Sequence, residues 1–398
     1  MTVSVPQPQD PMISVVIIAW RVGAGLVDAI ASVVESVDAP DFEVVVVLNG
    51  ASSDVRETFT AAIHGAVVVD LPGNTGYGFA ANAGARVARG SFLLFLNDDA
   101  RLAPDALRAL VDSAGQPLEE GTPIGAVASL LLNGDGSVQE AGSRVFADAG
   151  TMQFGSGMSV SAAEAAGLLR RRRIDYGSGA ALLVPTELFR SLGGHDSRYR
   201  PAYFEDVDLA FRIRASGADV VFEPAAVATH ASGASTDTDM RFREFAADRA
   251  GRAFLDKWST VLQNAATSDD PVGVVCPIPL SNDPDPVALQ IADDPFSVAL
   301  SVHVHYEEWL NGRLDKSLAA QDELDRRLLD AVQESAKWEA LASERGEIAH
   351  ERHELAERYS RELAEWRNRN IFQLARVRLS VAKRRLARLR ERSGRARP

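Results

Sequence analysis

Phe95-Leu96-Asn97-Asp98-Asp99 closes a short apolar run with two adjacent carboxylates. At the exposed end of a buried strand such neighbours repel, and a hard divalent cation carrying phosphate oxygens removes that cost. The segment suggests a metal-diphosphate site, although an isolated Asn-Asp-Asp is equally a polar loop whose aspartate caps the helix beginning near Pro104. A second acidic group, Glu205-Asp206-Val207-Asp208, follows Tyr203-Phe204. Three acids at a helix start are favoured by the helix dipole whether or not they act on a substrate. His230 ends the run Val227-Ala228-Thr229-His230, where a neutral imidazole is either a metal ligand or structural. Two small-residue segments complete the set. Gly73-Asn74-Thr75-Gly76-Tyr77-Gly78 opens a Gly/Asn-rich turn that enters a helix, and Gly177-Ser178-Gly179-Ala180 feeds a buried strand and lets a ligand or backbone approach closely.

These residues need a scaffold, and hydropathy supplies one. Residues 13–19, 43–48, 66–70 and 91–96 are short β-branched or aromatic runs, continuous enough to read as buried parallel strands. Helical segments at 26–37, 54–64 and 78–89 alternate with them, the pattern of a doubly wound α/β sheet whose ligands bind beyond the carboxyl ends of the strands. Residues 124–235 are mixed: strands near 124–132, 180–184 and 218–222, helices near 186–192 and 205–216, forming the second half of one domain over 1–265. Residues 268–295 hold six prolines, six aspartates and no Lys or Arg, so 266–300 reads as a solvated acidic linker.

Residues 301–398 have long-helix composition. Leu341, Ile348 and Leu355 step by seven, while Trp338, Tyr359 and Trp366 share the complementary position with Arg345 and Arg352. That imperfect seam predicts a helical hairpin or short coiled coil and self-association through 301–370. The chain carries 42 Lys+Arg against 55 Asp+Glu, a net charge of -13, which argues against nucleic acid as a partner. The charge is unevenly placed: 371–398 hold ten basic residues and one acid, a tail near +9 behind a body near -22. An amphipathic basic helix over 371–392 suits an anionic membrane surface, each Lys or Arg contributing on the order of 1 kcal/mol. Arg170 to Arg173 read as contacts to an anionic or lipid-diphosphate acceptor, or as a solvated loop. The single Cys276 excludes an intramolecular disulfide, and no apolar run reaches spanning length, so a cytoplasmic enzyme peripheral to the inner membrane face is expected.

The order of motifs resembles family 2 glycosyltransferases of the GT-A fold across residues 12–258: VIIAWR at 16–21, LNGASSD at 48–54, NTGYGFAANAG at 74–84, the Asn-Asp-Asp at 97–99, SGAALLV at 178–184, GGHD at 193–196, YFEDVDLAFR at 203–212 and His230. The resemblance implies a GT-A mixed sheet with a helical C-terminal extension. It implies that Asp99 and His230 hold a divalent metal, Mn2+ or Mg2+. By the same resemblance, Asp98 contacts donor ribose or sugar, Asp206 is the general base, and Glu205 contacts acceptor hydroxyls. Ala19, Asn49, Asp54, Asn74, Gly76 and Asn82 would bind the nucleotide-sugar donor, and Ser178 and Gly179 the glycan or lipid-linked acceptor. Leu48 stands where the family often has Asp, Arg21 where it has Asn, and His195 where it has Phe.

Glycosyl transfer makes matching demands: charge neutralisation on the departing diphosphate, and one carboxylate to take the proton of the attacking hydroxyl. One base and no second carboxylate as nucleophile predict inversion. Similarity to bacterial rhamnosyl- and galactofuranosyltransferases suggests dTDP-rhamnose or UDP-galactofuranose and a role in cell-envelope polysaccharide synthesis. The rival from another class is a noncatalytic sugar-nucleotide-binding scaffold that recruits partners through its helical tail. A nicotinamide oxidoreductase is disfavoured because Ala19-Trp20-Arg21-Val22-Gly23 offers no G-x-G-x-x-G. A processive polysaccharide synthase is disfavoured by the lack of Q-x-x-R-W and of spanning helices.

Overall fold

Four of the apolar runs form strands side by side: β1 (Ile13–Ala19), β2 (Phe42–Asn49), β3 (Val67–Leu71) and β4 (Phe92–Asn97) are parallel in the order β4-β1-β2-β3. Helices α1 (Gly23–Val34), α2 (Ser53–Ala62) and α3 (Tyr77–Val87) return the chain between them. A computed structural model describes residues 2–19, 23–231, 240–281 and 295–342, with 357, 358, 360–362 and 364. Central strands are buried on both faces, so every residue of Phe42–Asn49 is buried and the side chains feed two hydrophobic layers, one on each side of the sheet.

The second half extends the same sheet with strands of both directions. These are β5 (Ala100–Leu102), β6 (Ile124–Leu132), β7 (Val138–Glu140), β8 (Arg172–Arg173), β9 (Ala181–Pro185) and β10 (Asp219–His230). Strands β6 and β10 run with the first four, and β5, β7, β8 and β9 against them. The order continues as β8-β10-β6-β9-β4, with β5 along β10 and β7 along β6. Strand β9 runs antiparallel to both β4 and β6, pairing Ala181 with Leu96 and Leu182 with Ala128. Its entry turn therefore lies beside the end of β4, where Asn97 N donates to Ala180 O at 3.1 Å. The result is the mixed GT-A type sheet.

Two expectations change. The strand expected at 218–222 continues to His230, because its register breaks between Glu223 and Val227, around Pro224, and the re-aimed end pairs with β5. The linker expected over 266–300 ends early, because a helix already begins at Pro295, and its first part, irregular and mostly exposed, is tethered to the domain. Thr267, Asp270, Pro271 and Val274 turn their carbonyls onto the Arg144 guanidinium at 2.7 to 3.3 Å, and Arg144 is 1% exposed. A proline-rich segment has few ladder partners, so one buried guanidinium satisfies four carbonyls at once. Cys276 is buried next to it, its N–H donating to Asp175 at 2.7 Å.

The chain divides into compact units at 1–304 and 305–398. In the second, the helix Pro295–Ala342 continues to the end of the contiguous described stretch, with Glu323 paired to Arg326 and Arg327 along its surface. The heptad-like positions 338–366 fall outside the described side chains except at scattered positions, and the basic segment 371–392 lies outside the described residues. Among the described residues, no helix is long and apolar enough to cross a membrane.

Candidate active site

Register brings the first pair together. His230 pairs with Ala100, and Ala231 N donates to Asp99 O at 3.1 Å, so the end of β10 is tied to the turn that follows β4. His230 Nε2 then sits 3.0 Å from Asp99 Oδ1. Asn97 Nδ2 donates to the same ring nitrogen at 3.1 Å, and the opposite nitrogen, Nδ1, lies 2.8 Å from Gln139 Oε1. An amide nitrogen only donates, so Nε2 accepts and Nδ1 carries the proton. Nε2 thus carries a lone pair, shared with the Asn97 donor, 3.0 Å from a carboxylate oxygen that has no hydrogen-bond donor among the described residues. Two buried acceptors facing each other at this distance fit a shared cation. The aspartates of this segment do not cap a helix: β5 intervenes, and the helix Ala106–Ala114 starts at Asp105 without a side-chain cap.

The second acidic group opens the helix Glu205–Ala215. Tyr203 and Phe204, just ahead, have φ of 75° and 67°, the left-handed region that side-chain-bearing residues adopt at a cost of about 1–2 kcal/mol each. That conformation turns Glu205 and Asp206 inward. Asp206 accepts from Gly179 N at 3.1 Å and from Val207 N at 2.8 Å, whereas Glu205 Oε2 is buried without a partner. Burial raises both groups above the ordinary carboxylate range; the Asp206 charge raises Glu205 further, while backbone N–H groups oppose the rise at Asp206. Of the pair, Glu205 is raised by its neighbour as well as by burial, and Asp206 has the N–H groups of Gly179 and Val207 to favour its charged form.

Asp208 belongs elsewhere. It receives Arg212 at 2.6 Å, Lys257 at 2.7 Å, Trp258 Nε1 at 2.8 Å and Tyr199 OH at 3.0 Å. Burial opposes its ionisation, but Arg212 and Lys257 hold it down at about 2, a structural ion cluster beneath the site.

Tyr77 links the two halves. Its hydroxyl donates to Gly179 O at 2.9 Å, and its phenol is pushed well up by burial and by the charges of Glu205, Asp206 and Asp98. Asp98 and Asp99 are 4% and 9% exposed, so the acids at the end of β4 and at the helix start converge on one partly desolvated centre.

The remaining expected donor contacts divide. Asn49 Oδ1 accepts from Thr75 N at 2.9 Å and Thr75 Oγ1 at 3.0 Å, and its Nδ2 donates to Asn74 Oδ1 and Gly76 O. Asn49 therefore shapes the 74–76 turn, because its amide is engaged on both sides. Gly76 has φ of 84°, and a Cβ there would lie 2.5 Å from Pro201 O, so only glycine fits. Asn82 is fully buried and clamps the His195 backbone, accepting from its N at 2.8 Å and donating to its O at 2.9 Å. It is a girder and not a donor contact. His195 is packed by Phe95, Phe189 and Tyr77, and burial lowers it to about 4, so it serves as a neutral ring under Glu205, whose carbonyl lies 3.2 Å from its Nδ1. Ala19 ends β1 fully buried, and Asp54 is exposed in the first turn of α2. Ser178 N donates to Glu140 at 3.1 Å, next to the Gly179 bond to Asp206.

In the basic run Arg170 is exposed, and the other three arginines are engaged within the domain. Arg171 bonds Ser113 and pairs with Glu223, Arg172 stacks on Phe154 and Phe222, and Arg173 pairs with Asp219 and Glu119. These guanidiniums are held by the edge of the sheet and do not form a free acceptor patch.

Gln139, Glu140, Thr75 and Tyr77 escaped the sequence reading as site residues. Glu140 is 4% exposed, and burial, with a further push from Asp206, raises it to about 7 against the opposing Ser178 N–H. A glutamate amid the apolar and small residues of Val138-Gln139-Glu140-Ala141-Gly142 was the available signal.

A parallel half that ends in paired acids is thus faced by a histidine at the end of β10 and by an acid pair at a helix start. Residues 8–248 match the family described as Glycosyltransferase like family 2, and the chain belongs to that family. Among curated relatives, the O-antigen biosynthesis protein RfbC of Myxococcus xanthus is 33% identical over 163 residues, 40% of this chain and 12% of that protein. Uncharacterized protein y4gI of Sinorhizobium fredii is 32% identical over 207 residues, 49% of this chain and 22% of that one. The match thus spans under a quarter of either relative. Among solved structures, a mannosyltransferase of Pyrobaculum calidifontis in complex with GDP-Man and Mn2+ aligns with 16% identity and a TM-score of 0.44, covering 89% of this chain and 86% of that one. TarS 1-349 of S. aureus aligns with 18% identity and a TM-score of 0.40, covering 63% and 70%.

Proposed function

We propose that this glycosyltransferase is divalent-metal-dependent and inverting, moving a sugar from a nucleotide-sugar donor to a hydroxyl of a glycan or glycolipid in cell-envelope polysaccharide synthesis. The observation that carries the reading is the opposed pair Asp99 Oδ1 and His230 Nε2 at 3.0 Å, next to an acid pair in which Asp206 has two backbone N–H groups to favour its charged form. Asp99 and His230 would hold Mn2+ or Mg2+, which when bound neutralises the departing diphosphate. Asp206, kept ionised by two backbone N–H groups, takes the proton of the attacking hydroxyl; protonated Glu205 orients that hydroxyl. Gly179 carries an N–H to Asp206 and a carbonyl to Tyr77, so it fixes the base relative to the donor side. A single base that takes the proton of the acceptor hydroxyl, while that oxygen bonds the anomeric carbon and the nucleotide diphosphate leaves from the opposite face, supports inversion.

The named O-antigen relative supports a surface-polysaccharide acceptor, and dTDP-rhamnose or UDP-galactofuranose is the donor of choice. The catalytic unit extends through the segment held by Arg144, to about 281, and the basic tail anchors it on the inner membrane face. Self-association through 301–370 belongs to the same reading.

The test is a donor panel with Asp206→Asn and Asp99→Ala. Asp206→Asn should keep donor affinity and lower turnover by about 100-fold or more. Asp99→Ala should abolish divalent-dependent donor binding while the fold survives. Since Asp206 must be ionised and is raised above 3.8, the rate should climb with pH through an apparent value above 3.8. Full turnover in Asp206→Asn would assign the base to another carboxylate, donor binding without transfer by the native chain would favour the noncatalytic scaffold, and full activity in excess chelator would refute metal dependence.

A further inference from the structure

Gln139 has no place in the transfer step, yet it touches the one imidazole that does. It lies on β7, which is joined to the sheet by two register positions alone, Leu131 with Glu140 and Leu132 with Val138. Its Oε1 sits 2.8 Å from His230 Nδ1, on the side of the ring away from Asp99. The next residue, Glu140, holds Ser178 N at 3.1 Å and is buried, so the short strand is pinned beside Gln139 and the amide is not free to wander.

A neutral imidazole has one protonated nitrogen and one lone pair, and the partner of one nitrogen decides the other. With an acceptor at Nδ1, the proton stays there and the Nε2 lone pair faces Asp99. Asn97 Nδ2, which donates to Nε2, supports the same tautomer, but without the Gln139 acceptor the Asn97 amide can turn its oxygen to the ring, and the tautomer with the proton on Nε2 then gains a hydrogen bond to the Asp99 carboxylate. Histidine and aspartate would then satisfy each other, and the site would close to a cation.

We propose that Gln139 is a positioning residue that locks His230 in the Nδ1-protonated tautomer, so that the metal pair stands open. This rests on the metal-dependent reading above. It assigns β7 a role in the reaction: to hold the lone pair ready before a cation arrives.

The experiment uses the full chain, metal-free, with 15N-labelled histidine, the His230 signals being identified by their loss in His230→Gln. Long-range 1H–15N correlations should show the proton on Nδ1 in the native protein. In Gln139→Leu it should move to Nε2, and in Gln139→Glu, which keeps an acceptor, it should return to Nδ1. Mn2+ titration in the presence of UDP or dTDP, followed by electron paramagnetic resonance, should show affinity reduced about 10- to 100-fold in Gln139→Leu and restored in Gln139→Glu. A proton on Nε2 in the native metal-free chain overturns the proposal, and that result needs no variant to fold. So does an unchanged tautomer in folded Gln139→Leu. If the native chain binds no Mn2+ under these conditions the metal reading fails, while the tautomer measurement still judges Gln139.

Discussion

Glu140→Gln isolates the electrostatic strain of this site. The wild-type carboxyl is buried and raised from 4.5 to about 7, with its Oε1 accepting from Ser178 N. Between those values the folded chain binds a proton that the unfolded chain has released. Stability therefore falls as pH rises: the contribution is fully present below 4.5 and lost once pH has passed about 7. At about 1.4 kcal/mol per pH unit, the interval corresponds to about 3 kcal/mol. Glutamine keeps an acceptor for Ser178 and never ionises, so it removes the loss without removing the hydrogen bond. Urea unfolding of the two proteins at a series of pH values from 4 to 8 should give curves close together at pH 4 and separated by about 3 kcal/mol at pH 8, the variant being the more stable. The Glu205 and Asp206 pair adds a trend of the same sign to both proteins, and the difference between them cancels it. A constant separation across the series would refute the view that Glu140 enters the fold as a neutral acid.

Asp208→Asn should behave oppositely to a catalytic variant: it leaves Arg212 without its carboxylate and Lys257 with Asp196 alone, a change that costs about 3 kcal/mol, measured by urea unfolding. Because Asp208 is held at about 2, its stabilisation is present above 3.8 and lost as pH falls through about 2, which an acid titration of unfolding follows. Truncation after Ser281 should preserve donor binding and abolish co-sedimentation with anionic vesicles, and full-length binding should weaken with salt as screening shortens to about 8–10 Å. Equal sedimentation of both forms would leave the helices as a self-association or partner-docking module. Truncation after residue 265 would instead strip Arg144 of its four carbonyls and should destabilise the fold.

The sequence by itself determined the elements whose chemistry is local. Runs such as Glu43–Leu48 are too short for helices and too continuous for one-sided strands, so burial on both faces was legible, as was the alternation that makes the first half parallel. The Asn-Asp-Asp, the Glu-Asp pair and His230 were legible as candidates, because carboxylates and imidazole carry their chemistry in their composition. Partnership was not. Whether Asp206 or Asp208 is free to act depends on Arg212, Lys257 and Trp258, the last two about fifty residues away, and whether Asn82 meets a ligand depends on His195, more than a hundred away. The four arginines at 170–173 look like a charged patch until the partners of three are seen: Ser113 and Glu223 at Arg171, Phe154 and Phe222 at Arg172, Glu119 and Asp219 at Arg173. Proline-rich composition marked 266–300 as irregular; a helix nevertheless begins at Pro295, and a single buried guanidinium outside the segment tethers its first part. Only tertiary structure decided these matters, since hydrogen bonds and ion pairs act over a few ångströms and the fold, through a register break at Glu223–Val227 and a reversed strand at Ala181–Pro185, chooses which groups come within that range.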